Sequence, residues 1–272
     1  MPDDLADFFW ATFSATARKS SRASPRFAVP VLDKTAVTSN RSRDVWTIFC
    51  DQYHVNLARH RQLQDWSSAK TTTACVGIDA RHLEAVAAGA GASKGRLRSN
   101  SVDLILTSPP YAGAQKYVRA SSLSLGWLGM TGPKTLKELE SISIGREHFP
   151  NAELYQPIST GLDTADRLIT QIRKKNALRA KICSTYLVEM KAALEESVRV
   201  LKKNGRAIII VGDNTVCGKT FPSSLYLEEY LQNMGLTLEL KLVDKIKSRG
   251  LLMKRQGGAV AIKSETILVF RK

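Results

Sequence analysis

The stretch Thr107-Ser108-Pro109-Pro110-Tyr111 follows a largely apolar run, Val102-Asp103-Leu104-Ile105-Leu106. Proline cannot donate to a sheet ladder, so a strand predicted over 102–107 has to stop here and leave in a stiff, preset shape. Beyond the strand, the Ser108 hydroxyl and the Pro109 carbonyl offer two oxygen acceptors close together, and Tyr111 offers a ring face. That set suits a planar base carrying an exocyclic amine. Two acceptors would hold the amine protons and favour the pyramidal, nucleophilic form of the nitrogen. The ring would recover part of the unstacking cost of an extruded base, which is a few kcal/mol. Such catalysis works by positioning and local electrostatics, without a covalent enzyme intermediate. No cysteine stands nearby to attack a pyrimidine ring. The chemistry implied is transfer of an electrophilic group, most simply methyl, to an amino nitrogen. The competing reading is a strand-terminating turn with a packed tyrosine.

The elements that must position this stretch follow from periodicity and punctuation. Helices are predicted over 5–19 and 44–66, the second with Val45, Ile48, Phe49, Tyr53 and Leu57 near helical spacing, and residues 20–43 form a Ser/Arg/Pro-interrupted connector. A short strand fits 73–76, a helix 82–88 and a loop 89–96. After the 102–107 strand, a helix is expected over 116–129 and a polar insertion over 131–162. One long helix then runs from Thr164 to Leu201. Asn204-Gly205 reads as a turn into the buried strand Ala207–Val211. A helix over 223–234 and strands near 236–244 and 264–271 complete the chain. Strands alternating with helices predict an α/β, doubly wound, mostly parallel sheet with an antiparallel pair at its C-terminal edge. In such sheets ligands sit at the carboxyl ends of strands, where Ser108, Asp79 and Gly212-Asp213-Asn214 all fall. The domain division expected is a helical extension over 1–70 and an α/β domain over 71–272, with a helical insertion at about 131–180.

Composition narrows the partners. The 272 residues carry 40 Lys+Arg against 25 Asp+Glu, a net charge of +15. An excess of this size favours a polyanion, nucleic acid first. The densest basic segments are 167–181, with Arg173, Lys174 and Lys175, and 241–255, with Lys247 and Arg249; they are the candidates for phosphate contact, or else solvated faces. Arg119 is a further DNA-binding candidate. Cys50, Cys75, Cys183 and Cys217 are widely spaced, which predicts packing thiols in a reducing compartment and no metal site. No apolar stretch spans a bilayer and the acidic N-terminus lacks a signal-peptide pattern, so a cytoplasmic protein without a membrane partner is expected. His54, His60, His82 and His148 have no partner pattern.

The run Asp103–Tyr111 resembles the catalytic motif of the amino-group DNA methyltransferases, the N4-cytosine/N6-adenine family, in the Ser-Pro-Pro-Tyr form similar to that of N4-cytosine enzymes. Asp79-Ala80-Arg81-His82-Leu83 resembles the acidic motif that contacts the adenine of S-adenosylmethionine (AdoMet). Leu201–Arg206 with the following strand and Gly212-Asp213-Asn214 resembles a later strand motif, and Glu265–Phe270 the closing strand. The resemblance covers roughly residues 73–272 and implies a Rossmann-like AdoMet-dependent sheet. It implies Ser108, Pro109, Pro110 and Tyr111 as catalytic residues, Asp79, Ala80, Thr107 and Ser108 as cofactor-binding residues, and double-stranded DNA with a flipped base as substrate, in a restriction–modification or phage-defence setting. One departure stands out. The Phe-x-Gly-x-Gly loop that binds the methionine end of AdoMet is not found. Ala88–Ser93 has glycines but follows a helix, and the chain ends directly after its last strand. The expectation is therefore a sheet incomplete at its first strand and a split enzyme, with the glycine loop supplied by a second polypeptide. An N6-adenine enzyme, a noncatalytic DNA-holding subunit, and an RNA or protein-glutamine methyltransferase are the alternatives.

Overall fold

A computed structural model of the chain describes residues 3–34, 44–66, 79–83, 97–113, 117–247 and 262–272. It divides into two compact units: Met1–Thr73 with Lys116–Ile142 and Gly250–Met253, and Ala74–Gln115 with Ser143–Arg249 and Lys254–Lys272. The predicted strand at 73–76, nearly all of the predicted helix 82–88 and the loop at 89–96 lie outside the described residues; His82 and Leu83 themselves are in a turn.

In the first unit, α1 (Asp3–Ser20) packs on α2 (Val45–Trp66). Their interface is partly aromatic, with Phe8 edge-on to Tyr53 and Phe9 stacked on it. A polar ladder runs through it too: the Gln52 amide donates to Asn56, whose amide donates to the Thr12 hydroxyl, which donates to the Phe8 carbonyl. Buried polar groups are tolerated only when bonded in this way. The single helix expected over 116–129 is two short ones, α3 (Tyr117–Ala120) and α4 (Ser122–Trp127). The polar insertion contributes a further helix to this unit, α5 (Pro133–Ile142).

The second unit is α/β. Strands β1 (Val102–Thr107), β2 (Leu201–Val211), β5 (Thr237–Lys245) and β6 (Ser264–Arg271) form one sheet in the order β1-β2-β6-β5; a hairpin of β3 (Asn214–Val216) and β4 (Lys219–Phe221) stands apart. β1 and β2 are parallel, whereas β2–β6 and β5–β6 are antiparallel, so the described sheet is mixed and the antiparallel edge falls at the C-terminal strands as expected. Helices α6 (Asp163–Arg173), α7 (Ala177–Val200) and α8 (Ser223–Asn233) share one core with the sheet. Leu201, Ala207, Ile209 and Val211 of β2 are buried, and the last three alternate inward as a strand of period two requires.

Two expected elements take another form. The long helix over 164–201 is broken at Lys174–Asn176, and the Asn176 side chain accepts a hydrogen bond from the Arg179 N–H and so starts α7. Arg173, Lys174 and Lys175 therefore sit at a joint instead of along a continuous helix face. Asn204-Gly205 is not a turn before β2 but a bulge within it: β1 and β2 pair at Val102–Leu201 and again at Leu104–Arg206. Asn204 has a φ of 66°, its N–H donates to the Lys272 carbonyl, and the Lys272 N–H donates to the Gly205 carbonyl.

Ile209 is 1 % exposed in the second strand of the sheet, whereas Val243 on β5 is 64 % exposed. Ile209→Ala is expected to lower unfolding free energy by about 2–5 kcal/mol, and Val243→Ala to stay within about 0.5 kcal/mol. Denaturant midpoints check both values, and equal midpoints would place the core elsewhere.

Candidate functional site

The site is assembled where β1 and β2 end. Their parallel register sets Thr107 opposite Ile209, which brings residues 108–111 alongside 210–213. Ser108 is exposed, Pro109 is buried, and Tyr111 is 9 % exposed. Glycine at 212 is what lets the Tyr111 ring come over the end of β2. A Cβ there would lie 3.0 Å from Tyr111 Cε1 and 2.8 Å from Ile262 Cγ2. The Tyr111 hydroxyl donates to Glu265 Oε1 on β6. Since Val211 pairs with Thr266, Glu265 falls next to Gly212 in the antiparallel register, so Tyr111 beyond β1, Gly212 just beyond β2 and Glu265 on β6 form a row at the ends of three adjacent strands.

Other contacts fix the loop that follows. Asn214, buried at the start of β3, donates from Nδ2 to the Ala112 carbonyl at 2.8 Å. Asp213 accepts from the Ser224 N–H at 2.9 Å and so caps the first turn of α8. These two residues, expected either to shape a turn or to form a motif, tie β2 to the 107–113 loop and to α8. Gly145, at φ 82°, passes so close that a Cβ would sit 2.9 Å from the Tyr111 carbonyl.

The Asp79 segment is anchored on the same unit. Asp79 accepts from the Arg81 guanidinium through both oxygens, with contacts of 3.0, 3.1 and 2.7 Å, and also from the Arg81 backbone N–H. Arg81 in turn pairs with Glu189 on α7 at 3.1 Å, and Glu189 pairs with Arg146. Arg146 adjoins the Gly145 that touches the Tyr111 backbone, so an ion-pair chain links the two stretches singled out in the sequence. The hydrogen bond from Arg81, ahead of every other influence, holds the Asp79 carboxyl below its ordinary range, and Arg81 is shifted upward by the same contact. Ala80 lies in the turn between them.

The basic candidates are scattered. Arg119 is exposed on α3 in the first unit. In the second unit Lys174, Lys175 and Lys247 are exposed and Arg173 is half-buried; Lys175 Nζ reaches the Cys217 carbonyl at 3.5 Å. Arg249 lies outside the described residues. Cys183 is buried, and burial pushes its thiol up to about 12, which makes it a packing residue at neutral pH. Among the described residues no group of three or more His, Cys, Asp or Glu could hold a metal, and no helix is long and apolar enough to cross a membrane.

Gly145, Arg146 and Glu189 escaped the reading of the sequence, and Glu265 entered it only as part of the closing strand, without its contact to Tyr111. Each acts across a large separation; the Tyr111–Glu265 pair spans 154 positions.

No protein-family model matches the sequence. No curated protein matches it. Among solved structures, the chain is similar to a Thermus thermophilus protein described as a "Putative DNA Modification Methylase". In complex with S-adenosyl-L-methionine that protein is 19% identical, at a TM-score of 0.34 over 71% of this chain and 53% of the other. Its uncomplexed form gives 19%, 0.34, 72% and 52%. This chain thus spans about half the length of those chains. Likeness at that level carries no activity across, and the site has to speak through its own residues.

The depressed Asp79 sets a pH dependence. A carboxyl with a lowered folded pKa contributes stability that is full above its ordinary unfolded value and is lost as pH falls through the folded value. Arg81→Met is expected to flatten the acid limb of thermal stability as pH falls from neutral through and below the ordinary aspartate value of 3.8, since the hydrogen bond that causes the shift is gone. Melting curves across that range check it; an unchanged limb would show that the fork does not act on stability.

Proposed function

We propose that this chain is the base-binding part of an AdoMet-dependent DNA methyltransferase acting on the N4 amine of cytosine. The observation that carries the reading is the placement of Ser108-Pro109-Pro110-Tyr111 at the carboxyl end of β1, with Tyr111 held against Gly212 at the end of the neighbouring parallel strand.

The chain's own residues supply orientation. The exposed Ser108 hydroxyl and the Pro109 carbonyl accept hydrogen bonds from the two N–H groups of the target amine, turning the nitrogen lone pair out of conjugation with the base ring. The proton lost as the N–C bond forms leaves to solvent beside the exposed Ser108. The rigidity of two successive prolines means that little loop entropy is lost when the base arrives. Tyr111 provides the stacking surface; at 9 % exposure it requires local opening around the ring before a base can lie on it. Net charge of +15 and the exposed Lys174, Lys175, Lys247 and Arg119 favour DNA, with phosphates neutralised as the strand approaches. Arg173 and Arg249 extend the same basic segments.

When bound, AdoMet supplies a methyl group activated by a positive sulfur. Asp79 and Ala80, with Thr107 and Ser108, would hold its adenosine end. The fit is partial. Asp79 keeps acceptor capacity beside its fork with Arg81, but the glycine that follows a described strand, Gly212, has its space filled by Tyr111 and Ile262. A second polypeptide carrying the glycine loop for the methionine end is therefore part of the proposal.

The test is methyl incorporation into DNA, digested to nucleosides, by this chain alone and with the product of the adjacent reading frame. N4-methylcytosine is expected only from the pair. Ser108→Ala is expected to lower kcat by roughly 100-fold, and Tyr111→Ala to cost about 1–3 kcal/mol in binding an extruded base. N6-methyladenine alone would overturn the cytosine reading, full activity of the single chain would overturn the partner, and full activity of both variants would assign the chemistry to another polypeptide.

A further inference from the structure

The row Tyr111, Gly212 and Glu265 contains an acidic residue for which the proposed chemistry has no direct use. Glu265 is half-buried, the second residue of β6, just before its apolar stretch Ile267–Phe270. A carboxylate at the margin of an apolar strand carries a desolvation cost that a plain edge position would avoid. Here its oxygen accepts the Tyr111 phenol. The phenol is thereby held at its far end, and the backbone end is held independently by the close passage of Gly145 and the Asn214 bond to the Ala112 carbonyl.

Fixing both ends is compatible with rotation of the ring about its own long axis. That axis runs from Cβ to the hydroxyl, so the tether does not prevent the ring face from being uncovered. It does prevent the ring from swinging away from the end of β1, where Ser108 lies. Gly212 completes the device because any side chain there would occupy the volume of the Cε1 edge.

We infer that Glu265 is a positioning residue for Tyr111: its carboxylate clamps the phenol across the strand ends, so that the ring stays registered with Ser108 while its face opens to a base. The inference rests on the reading of the site as a base pocket. The ionised carboxylate is the stronger acceptor, and an amide oxygen in its place would accept more weakly.

The test labels the full chain with 3-fluorotyrosine, assigns the Tyr111 fluorine resonance by its loss in Tyr111→Phe, and follows it in Glu265→Ala and Glu265→Gln. Glu265→Ala is expected to shift and broaden the Tyr111 signal while the other six tyrosines of the seven stay in place; Glu265→Gln is expected to return it most of the way. In the assembled methyltransferase, Glu265→Ala and Tyr111→Phe are each expected to lower kcat about tenfold, the worth of one hydrogen bond. KM for AdoMet should not change, and the double variant should be no worse than either. An unmoved Tyr111 resonance in folded Glu265→Ala overturns the clamp. If Glu265→Ala does not fold, Glu265→Gln and Tyr111→Phe decide: kcat at the wild-type level in both overturns it as well. A wild-type assembly that never methylates DNA defeats the function reading alone, because the fluorine signal still reports the clamp.

Discussion

The close approach of Tyr111 to Gly212 is the constraint on which the candidate site depends. Two parallel strands end side by side, and the chain leaving β1 folds back across the end of β2. That fold-back is possible only because position 212 has no side chain and position 145 adopts a left-handed backbone. Every other contact at the site takes its place relative to this crossing: the Glu265 bond at the phenol, the Asn214 bond at the following carbonyl, and the Arg146–Glu189–Arg81–Asp79 chain behind Gly145. The result is a loop fixed by packing and hydrogen bonds at successive residues, which is how a scaffold gives a short polar motif a defined geometry.

What was legible in the sequence had local causes. The β1 strand ends where expected, because an apolar run followed by two prolines leaves no other option. Helices α1, α2 and α8 and strands β5 and β6 were also found, since each carries its own apolar pattern and breakers. The break in the 163–200 region was missed because lysine and asparagine interrupt a helical period only mildly, while the cap that starts α7 depends on a single Asn176 oxygen. Asn204-Gly205 was read as a turn because positive φ serves turns and bulges alike; only the pairing of β2 with β1 distinguishes them. The β3–β4 hairpin was missed for a related reason. Its turn has Cys217 at φ 51° and Gly218 at φ 78°, and cysteine gives little warning of a left-handed conformation.

At the candidate site, Ser108 and Tyr111 could be singled out by type and by their place after β1, and Asp79 by type and by its place after the strand expected at 73–76. Their partners could not. Glu265, Glu189 and Arg146 are ordinary charged residues in sequence, and they acquire meaning only when the sheet order β1-β2-β6-β5 and helix α7 bring them to the strand ends. The same holds for Gly145, one glycine among seventeen, distinguished by what a methyl group there would strike. Long-range pairing is where a one-dimensional pattern runs out of information.

The shared volume at Gly212 and Tyr111 also ties these two positions together as a unit of inheritance. A side chain gained at 212 and a ring kept at 111 compete for one space, so neither position can drift freely while the other is unchanged. Descendants of this chain are expected to hold the glycine with the tyrosine or to change both together, and a lineage with a bulkier residue at 212 would have abandoned the aromatic contact before any other part of the sheet showed a trace of it.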